Sequence, residues 1–378
     1  MNPAHQDAPP PESSRGGAGG SPAPEEVLDT FGQLFLLAFD GTRLGEDVAE
    51  FFRTFRIGGV VLFTDNFRHP EQLGQLTAEL QHRCARPGEP LLVATDHEGG
   101  RVQRFRTGFT RLPPMAELGT GEPAATEELL AQAGAELAGA GVHLCLAPVA
   151  DLAAATSAGA VGDRSFGLDP RRTAEHVAAA VRGLRRGGVL SCVKHFPGHG
   201  ATEVDSHRDL PVVSASRSVM EERELIPFRA ALAADVDAVM TAHVRYPQAG
   251  ADGEAPGEDP PASLSPFWQR QVLRQELGYE GPIVADALEM KALRRYWTPA
   301  ECGALAFAAG SDLLIYYKEA HQFSAVYRLH RALEQGRLSP TRVAEALGRV
   351  RRLKGRLLKM HPELATTPPL QTMKKNAS

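Results

Sequence analysis

The chain has 378 residues, of which 43% are hydrophobic and 23% charged, and its net charge is −5 at pH 7. This length can bury a sizeable core in one large or two small α/β domains. The ordinary composition and the negative charge disfavour nucleic acid and anionic membranes as partners.

The N-terminal residues and the cysteines indicate a protein of a reducing compartment. Residues 1–24 are rich in Pro, Gly, Ala, Ser and Glu and contain no apolar stretch long enough for a signal peptide or membrane span, so we predict a disordered tail. Cys84, Cys145, Cys192 and Cys302 are far apart in sequence, and we interpret them as small buried hydrophobes. A cytoplasmic location is the default expectation.

From residue 31 onward, short apolar runs alternate with longer segments of helical periodicity. The apolar runs predict eight strands, at 34–39, 59–63, 91–95, 142–147, 189–193, 238–241, 282–285 and 313–316. The intervening segments predict helices, at 46–55, 70–84, 126–138, about 170–186, about 219–233, 266–277, 288–295, 299–308, 320–334 and 339–359. This alternation predicts an α/β fold with parallel strands, and the count favours a single (β/α)8 TIM-type barrel over a doubly wound sheet. We assign the barrel domain to residues 25–362 and a C-terminal tail to 363–378.

Charged residues follow the predicted strands at the end where a barrel gathers its chemistry. Segment 96–104 follows the third strand and segment 162–167 follows the fourth; the later strands lead into Lys194 and His195, His243, and Asp286. A ring of such side chains at one rim suits a polyhydroxylated ligand.

The stretch 189–213 carries more titratable groups than a structural connection needs, so we interpret it as a catalytic loop. Its histidines, His195, His199 and His207, could suggest a metal site. However, Pro197 and Gly198 lie between the first two histidines and cannot continue a helix, so the spacing does not place these side chains on one helical face.

Four motifs occur in order along the chain: Asp-x-Glu-Gly-Gly-Arg-Val-x-Arg at 96–104, Gly-Asp-Arg-Ser-Phe-Gly at 162–167, Lys-His-Phe-Pro-Gly-His-Gly at 194–200 with Asp-Ser-His after it, and Asp-Ala-Leu-Glu-Met at 286–290. Together they resemble the motifs of glycoside hydrolase family 3, more narrowly those of its bacterial single-domain exo-β-N-acetylglucosaminidases. The resemblance spans about residues 31–358, and the combination is far more specific than any single motif. The chain departs from the pattern at His97, where relatives often have glutamine, and at Ala285 and Ala287, which flank the aspartate.

The resemblance assigns the catalytic groups. Asp286 would be the nucleophile, because retaining hydrolysis needs a carboxylate that attacks the anomeric carbon and then leaves; the alternative is a helix N-cap. His207 would transfer the proton, with Asp205 holding and polarising its ring. The alternative for His207 is a surface histidine in a solvated loop.

The resemblance also implies which residues bind the sugar hydroxyls, namely Asp96, Arg104, Arg164, Lys194 and His195. Carboxylates accept and guanidinium groups donate hydrogen bonds to vicinal hydroxyls. For the first three residues the alternative is a structural ion pair beneath the rim. His199 is expected to order its loop, and His243 to support the nucleophile.

The implied reaction is two-step hydrolysis, with retention, of a terminal non-reducing β-linked N-acetylglucosamine, carried on an anhydro-muropeptide derived from peptidoglycan. It requires no metal or organic cofactor, and the oligomeric state is not implied. Three alternatives stay open: a phosphorylase of the same family that uses phosphate as acceptor, a β-glucosidase, and a non-catalytic sugar-binding protein.

Overall fold

The computed structural model describes residues 24–153, 161–200, 202, 210–249, 259–317 and 319–366. Its strands are β1 (Phe35–Leu37), β2 (Gly59–Leu62), β3 (Leu92–Thr95), β4 (His97–Gly99), β5 (Val102–Gln103), β6 (Leu144–Cys145), β7 (Leu190–Phe196), β8 (Ala238–Thr241), β9 (Ile283–Ala285) and β10 (Leu313–Tyr316). Within these ranges, eight parallel strands close a barrel in the order β1, β2, β3, β6, β7, β8, β9 and β10, and β4 and β5 form a separate hairpin. The predicted (β/α)8 fold is confirmed.

The helices are α1 (Pro24–Thr30), α2 (Glu46–Thr54), α3 (Pro70–Cys84), α4 (Met115–Leu118), α5 (Pro123–Gly139), α6 (Pro170–Arg186), α7 (Arg217–Val219), α8 (Leu225–Ala233), α9 (Lys291–Arg294), α10 (Pro299–Ala309), α11 (Glu319–Glu334) and α12 (Pro340–Met360). Several begin at a proline that follows a capping side chain, because proline has no N–H to leave unpaired and the cap accepts one of the free N–H groups. Before α6, for example, the Asp169 carboxylate accepts the N–H of Arg172 at 2.8 Å. No helix in the described ranges is long and apolar enough to cross a bilayer.

The structure differs from the predicted elements in two places that shape the cavity at the barrel mouth. Strand β7 extends to Phe196, three residues past the predicted end, because Phe196 pairs with Thr241 of β8. The helix predicted at 288–295 is reduced to α9, because the Leu288 N–H donates to the Ile315 carbonyl at 3.1 Å and keeps the preceding segment alongside the barrel. Both changes result from backbone hydrogen bonding between residues that lie far apart in sequence.

The chain ends and the cysteines are consistent with a single barrel core. All four cysteines are buried free thiols, which confirms their interpretation as small hydrophobes. Apart from Pro24, where α1 begins, the predicted N-terminal tail lies outside the described residues. At the other end, a 3-10 turn at Pro362–Ala365 includes the start of the segment predicted as a tail, and the Ala365 carbonyl accepts the Gly88 N–H at 3.2 Å.

Candidate active site

The carboxyl ends of the barrel strands surround a cavity of about 520 Å³. Its wall includes all the predicted site residues that the structure describes, namely Asp96, Arg104, Arg164, Lys194, His195, His199, His243 and Asp286. These residues are distant in sequence and meet because parallel strands all point their carboxyl ends to the same mouth. The predicted acid/base pair, Asp205 and His207, lies outside the described residues.

Alternating charges line one side of this cavity, with Lys194 at the centre. The buried Lys194 Nζ lies 2.7 Å from Asp96 Oδ1 and 2.6 Å from Glu98 Oε1. Arg104 donates to the other Asp96 oxygen at 3.0 Å. Arg164 binds Glu98 through two donors, at 2.6 and 2.8 Å, in the bidentate geometry that holds a guanidinium firmly. We call these five residues the ion-pair network.

The ion-pair network stays charged despite its burial. Burial by itself raises the pKa of Asp96 and Glu98, but the ammonium of Lys194 and the guanidinium paired with each carboxylate together outweigh burial and hold both pKa values below their ordinary range. Conversely, burial lowers the pKa of Lys194, but the two carboxylates more than restore it. The sugar-ligand and ion-pair interpretations therefore do not compete, because these residues pair with each other and also form the cavity wall.

Asp151 is a buried carboxylate that sequence reasoning did not assign. Its Oδ2 atom lies 2.6 Å from Nδ1 of His195, and its Oδ1 atom accepts the backbone N–H of His195 at 3.1 Å and of His199 at 2.7 Å. Burial raises the pKa of Asp151, but the interactions with His195 and His199 together outweigh burial, and the pKa is lowered. Asp151 thus engages Nδ1 of His195 and leaves Nε2 of that ring for a ligand. A carboxylate directly after the apolar run 144–150 was the available signal.

Asp286 follows β9 directly and lines the cavity half-buried. Its Oδ1 atom accepts the Ala287 N–H at 2.7 Å, and within the described ranges no cationic side chain forms an ion pair with it. The N-cap residue of α9 is Met290, so the alternative role of Asp286 as the cap of that helix is wrong. Among the described residues, this arrangement leaves the other carboxylate oxygen of Asp286 without a hydrogen-bond partner at the cavity wall.

His243 and His199 have supporting positions around this wall. The buried His243 ring donates from Nε2 to the Ala287 carbonyl at 3.0 Å, and its Nδ1 accepts from the Ser263 hydroxyl at 2.7 Å. Burial lowers the pKa of His243, which keeps the ring neutral for this pair of bonds. His199 lies 2.8 Å from the Thr202 hydroxyl through Nδ1, and burial lowers its pKa to about 4. Both rings are therefore neutral: His243 holds the backbone at Ala287, and His199 holds the side chain of Thr202.

His97, the departure from the family pattern, points away from the cavity. Its buried ring packs 6.0 Å, centroid to centroid, from each of Phe105 and Phe109. Burial lowers the pKa of His97 to about 4, so the ring is neutral, and neither ring nitrogen has a hydrogen-bond partner among the described residues. Glu289, whose carboxylate accepts the N–H of Tyr317, and Tyr317 itself also line the cavity.

The Asp151 carboxylate predicts a measurable acid sensitivity. A carboxylate whose pKa is lowered by folding stabilises the native state above its unfolded pKa, and that contribution is lost as the pH falls through and below this value. We therefore expect Asp151→Asn to lower the free energy of unfolding by about 3 kcal/mol at pH 7, since three charge-assisted hydrogen bonds are weakened. The deficit should shrink between about pH 5 and pH 2.5. Urea unfolding across this range measures it, with the exposed Asp163→Asn as control; a deficit independent of pH would contradict the prediction.

Comparisons with known proteins place the chain in one family. The chain matches the glycosyl hydrolase family 3 N terminal domain over residues 27–353. It is 42% identical over 287 residues to a β-hexosaminidase of Nitrosospira multiformis, covering 74% of this chain and 79% of that protein. A β-hexosaminidase of Thiobacillus denitrificans is 39% identical over 293 residues, covering 76% and 78%.

Two solved structures are also similar. A family 3 β-N-acetylglucosaminidase from Paenibacillus sp. str. FPU-7 superposes with a TM-score of 0.82 at 34% identity, over 92% of this chain. This chain spans only 64% of that larger protein. NagZ from Neisseria gonorrhoeae, solved in complex with N-trifluoroacetyl-D-glucosamine, superposes with a TM-score of 0.72 at 34% identity, over 85% of this chain and 89% of NagZ.

Proposed function

Because the chain belongs to glycoside hydrolase family 3 and is therefore an enzyme that hydrolyses glycosides, we propose that it is a retaining exo-β-N-acetylglucosaminidase. Its substrate is a terminal, non-reducing β-linked N-acetylglucosamine, carried on a peptidoglycan-derived muropeptide. The observation that carries the proposal is the convergence of Asp286 and the ion-pair network on one cavity.

The chemistry of the cavity suits a sugar. Its volume of about 520 Å³ lies in the usual range for small-molecule sites, and its fixed charges supply acceptors and donors for neighbouring hydroxyls. The similarity to β-hexosaminidases, and to a NagZ that binds an N-acylated glucosamine, supports N-acetylglucosamine over glucose. The muropeptide aglycone is the finer part of the proposal and is supported by the motif resemblance alone.

In the first step, an oxygen of Asp286 attacks the anomeric carbon while the bond to the leaving-group oxygen breaks. Asp286 suits this role because it is half-buried at the cavity wall and, among the described residues, carries no ion-paired cation that would draw charge from it. Lys194, Asp96 and Arg104 would hold the hydroxyls of the same ring. The product of this step is a glycosyl ester on Asp286 and a free aglycone.

Proton transfer is assigned to His207 and Asp205 by their motif. Protonated His207 gives its proton to the leaving oxygen in the first step; neutral His207 then takes a proton from the water that attacks the glycosyl ester. The second step regenerates the Asp286 carboxylate and releases the sugar with its original anomeric configuration. An imidazolium can serve as the acid when a nearby anion raises its pKa towards working pH.

The test is covalent capture with a slow, fluorinated N-acetylglucosaminide. We expect mass spectrometry of digested protein to find one added sugar on the peptide that contains Asp286. Label on another residue would overturn the nucleophile assignment, as would turnover of N-acetylglucosaminides without any adduct.

Product analysis with and without added phosphate separates hydrolase from phosphorylase. Comparison with an aryl glucoside tests the β-glucosidase alternative, and binding without turnover of any donor would favour a sugar-binding protein.

A further inference from the structure

Glu224 is a buried carboxylic acid that the proposed mechanism does not use. It ends the π-helical stretch Met220–Glu224 that leads into α8, and only 4% of its surface is exposed. Within the described ranges its Oε2 atom has no hydrogen-bond partner. A buried carboxyl without a partner is costly if ionised, so its position calls for a reason.

Glu224 packs against the segment that leads out of β7. Gly198 has a φ of +130°, and a Cβ added there would lie 2.9 Å from Glu224 Cβ and 3.0 Å from its Oε2. The carboxyl group of Glu224 is therefore in direct contact with the backbone at Gly198. On the same residue, the Gly198 carbonyl accepts the hydroxyl of Tyr246 at 2.7 Å. Glu224 and Tyr246 thus both contact this segment at Gly198.

Asp151 and its neighbour Leu152 also contact this segment. The Asp151 carboxylate accepts the His199 N–H at 2.7 Å, and a Cβ added at Gly200 would lie 1.5 Å from the Leu152 carbonyl. The segment 198–200 therefore packs against two acidic side chains, Glu224 at Gly198 and Asp151 at His199. It also leads directly into 203–209, the stretch that contains His207.

The protonation state of Glu224 decides whether its packing against the segment 198–200 is stable. Burial, together with the nearby carboxylate of Asp151, raises the pKa of Glu224 to about 7, while Arg223 on the same helix acts weakly in the opposite direction. Below that pH Glu224 is uncharged and can pack against the backbone of Gly198. Above it, two carboxylates face the same short segment, and the Glu224 carboxylate lacks a hydrogen bond within the described ranges.

We propose that Glu224 is a positioning residue. Its uncharged carboxyl group holds the segment 198–200 in place, and its ionisation displaces this segment and lowers activity at alkaline pH. The activity part rests on the proposed function, because the segment leads to the stretch carrying the assigned proton donor. The effect on the segment itself does not depend on that function.

The experiment compares the wild type, Glu224→Gln and Glu222→Gln from pH 6 to pH 8.5. Glutamine keeps the shape of the neutral acid but cannot ionise, and Glu222 is an exposed glutamate of the same helix. We expect the ratio of kcat/KM in Glu224→Gln to that in wild type, on an aryl β-N-acetylglucosaminide, to rise from about one at pH 6 to at least about fivefold at pH 8.5, since roughly 3% of an acid of pKa 7 is protonated there. For Glu222→Gln the ratio should stay near one.

Two kinetic outcomes would overturn the proposal: a ratio for Glu224→Gln that does not change with pH, or a folded Glu224→Gln that is inactive at pH 6. The wild-type pH profile alone cannot decide the matter, because the proton transfers assigned to His207 would also contribute to the pH dependence of activity. The ratio to wild type at each pH removes that shared contribution.

Hydrogen–deuterium exchange of the peptide 196–202 provides a readout that needs no activity. Relative to Glu224→Gln at the same pH, the wild-type peptide should exchange equally at pH 6 and several-fold faster at pH 8.5. If no glycoside is turned over but this difference appears, the proposed function fails and the role of Glu224 stands. If Glu224→Gln does not fold, protection of this peptide in wild type must fall between pH 6 and 8.5, after correction for intrinsic rates, while that of β2 holds; unchanged protection would overturn the proposal.

Discussion

Replacing Asp286 by asparagine is expected to lower kcat by at least about a thousandfold, because the amide cannot form the glycosyl ester on which both steps depend. Binding of N-acetylglucosamine should persist, since Lys194, Asp96 and Arg104 hold each other in place without Asp286. Steady-state turnover of an aryl β-N-acetylglucosaminide and calorimetric binding of the free sugar measure the two effects separately.

The matched control for this variant is Asp40→Asn. Asp40 is an exposed aspartate that follows β1 at the same mouth of the barrel, and it does not line the cavity. We expect its substitution to leave kcat and the unfolding midpoint close to those of wild type. Turnover by Asp286→Asn within tenfold of wild type would refute the nucleophile assignment; equal losses in both variants would show that the amide change acts through folding or solubility.

Replacing Lys194 by methionine is expected to lower the free energy of unfolding by about 3 kcal/mol at pH 7, because Asp96 and Glu98 lose the ammonium between them. The loss is at the lower end for a broken buried ion pair, since each carboxylate keeps an arginine. The same change should abolish detectable sugar binding, because Lys194 is also a donor at the cavity wall. Urea unfolding and ligand titration measure the two losses.

The pH dependence of the free energy of unfolding gives a second test of the Lys194→Met prediction. In wild type the pKa values of Asp96 and Glu98 are held below their unfolded values, so their stabilising contribution is full above about pH 4.5 and is lost as the pH falls. Without Lys194 those pKa values rise, so the variant loses less on acidification and its deficit should narrow towards pH 3. A control at an exposed lysine with no ion pair among the described residues, Lys359→Met on α12, should stay within about 0.5 kcal/mol of wild type at both pH values. If the difference in free energy of unfolding between wild type and Lys194→Met widens as the pH falls, the stabilising role of the ion-pair network is contradicted.

The barrel could be predicted because its signals are local. Apolar runs of strand length alternate with segments of helical period, and each signal survives wherever the element ends up in the fold. The ends of elements were harder, because tertiary pairing decides them. Pairing of Phe196 with Thr241 lengthens β7, and the bond from Leu288 to Ile315 postpones α9. Neither contact is visible in the sequence around the element that it changes.

In the candidate site, too, local motifs could be predicted from the sequence and tertiary contacts could not. Motif positions at strand ends predict which residues meet at the mouth, because parallel strands deliver their carboxyl ends to one place. They do not predict which charges neutralise each other there. Lys194 is hydrogen-bonded to an aspartate 98 residues away, and Asp151 is hydrogen-bonded to His195 from 44 residues away. Both pairings depend on how the strands are ordered and staggered in the closed barrel.

By itself, the sequence determined the α/β barrel, the family resemblance and the list of polar residues at the mouth, because periodicity and motifs are properties of neighbouring residues. Only the tertiary structure decided that Glu98 lines the cavity, that the buried Asp151 holds His195, that Asp286 does not cap a helix, and that Glu224 packs against Gly198. The physical reason is that burial and charge compensation are set by distances between separate strands and loops, and these distances exist only once the barrel has closed.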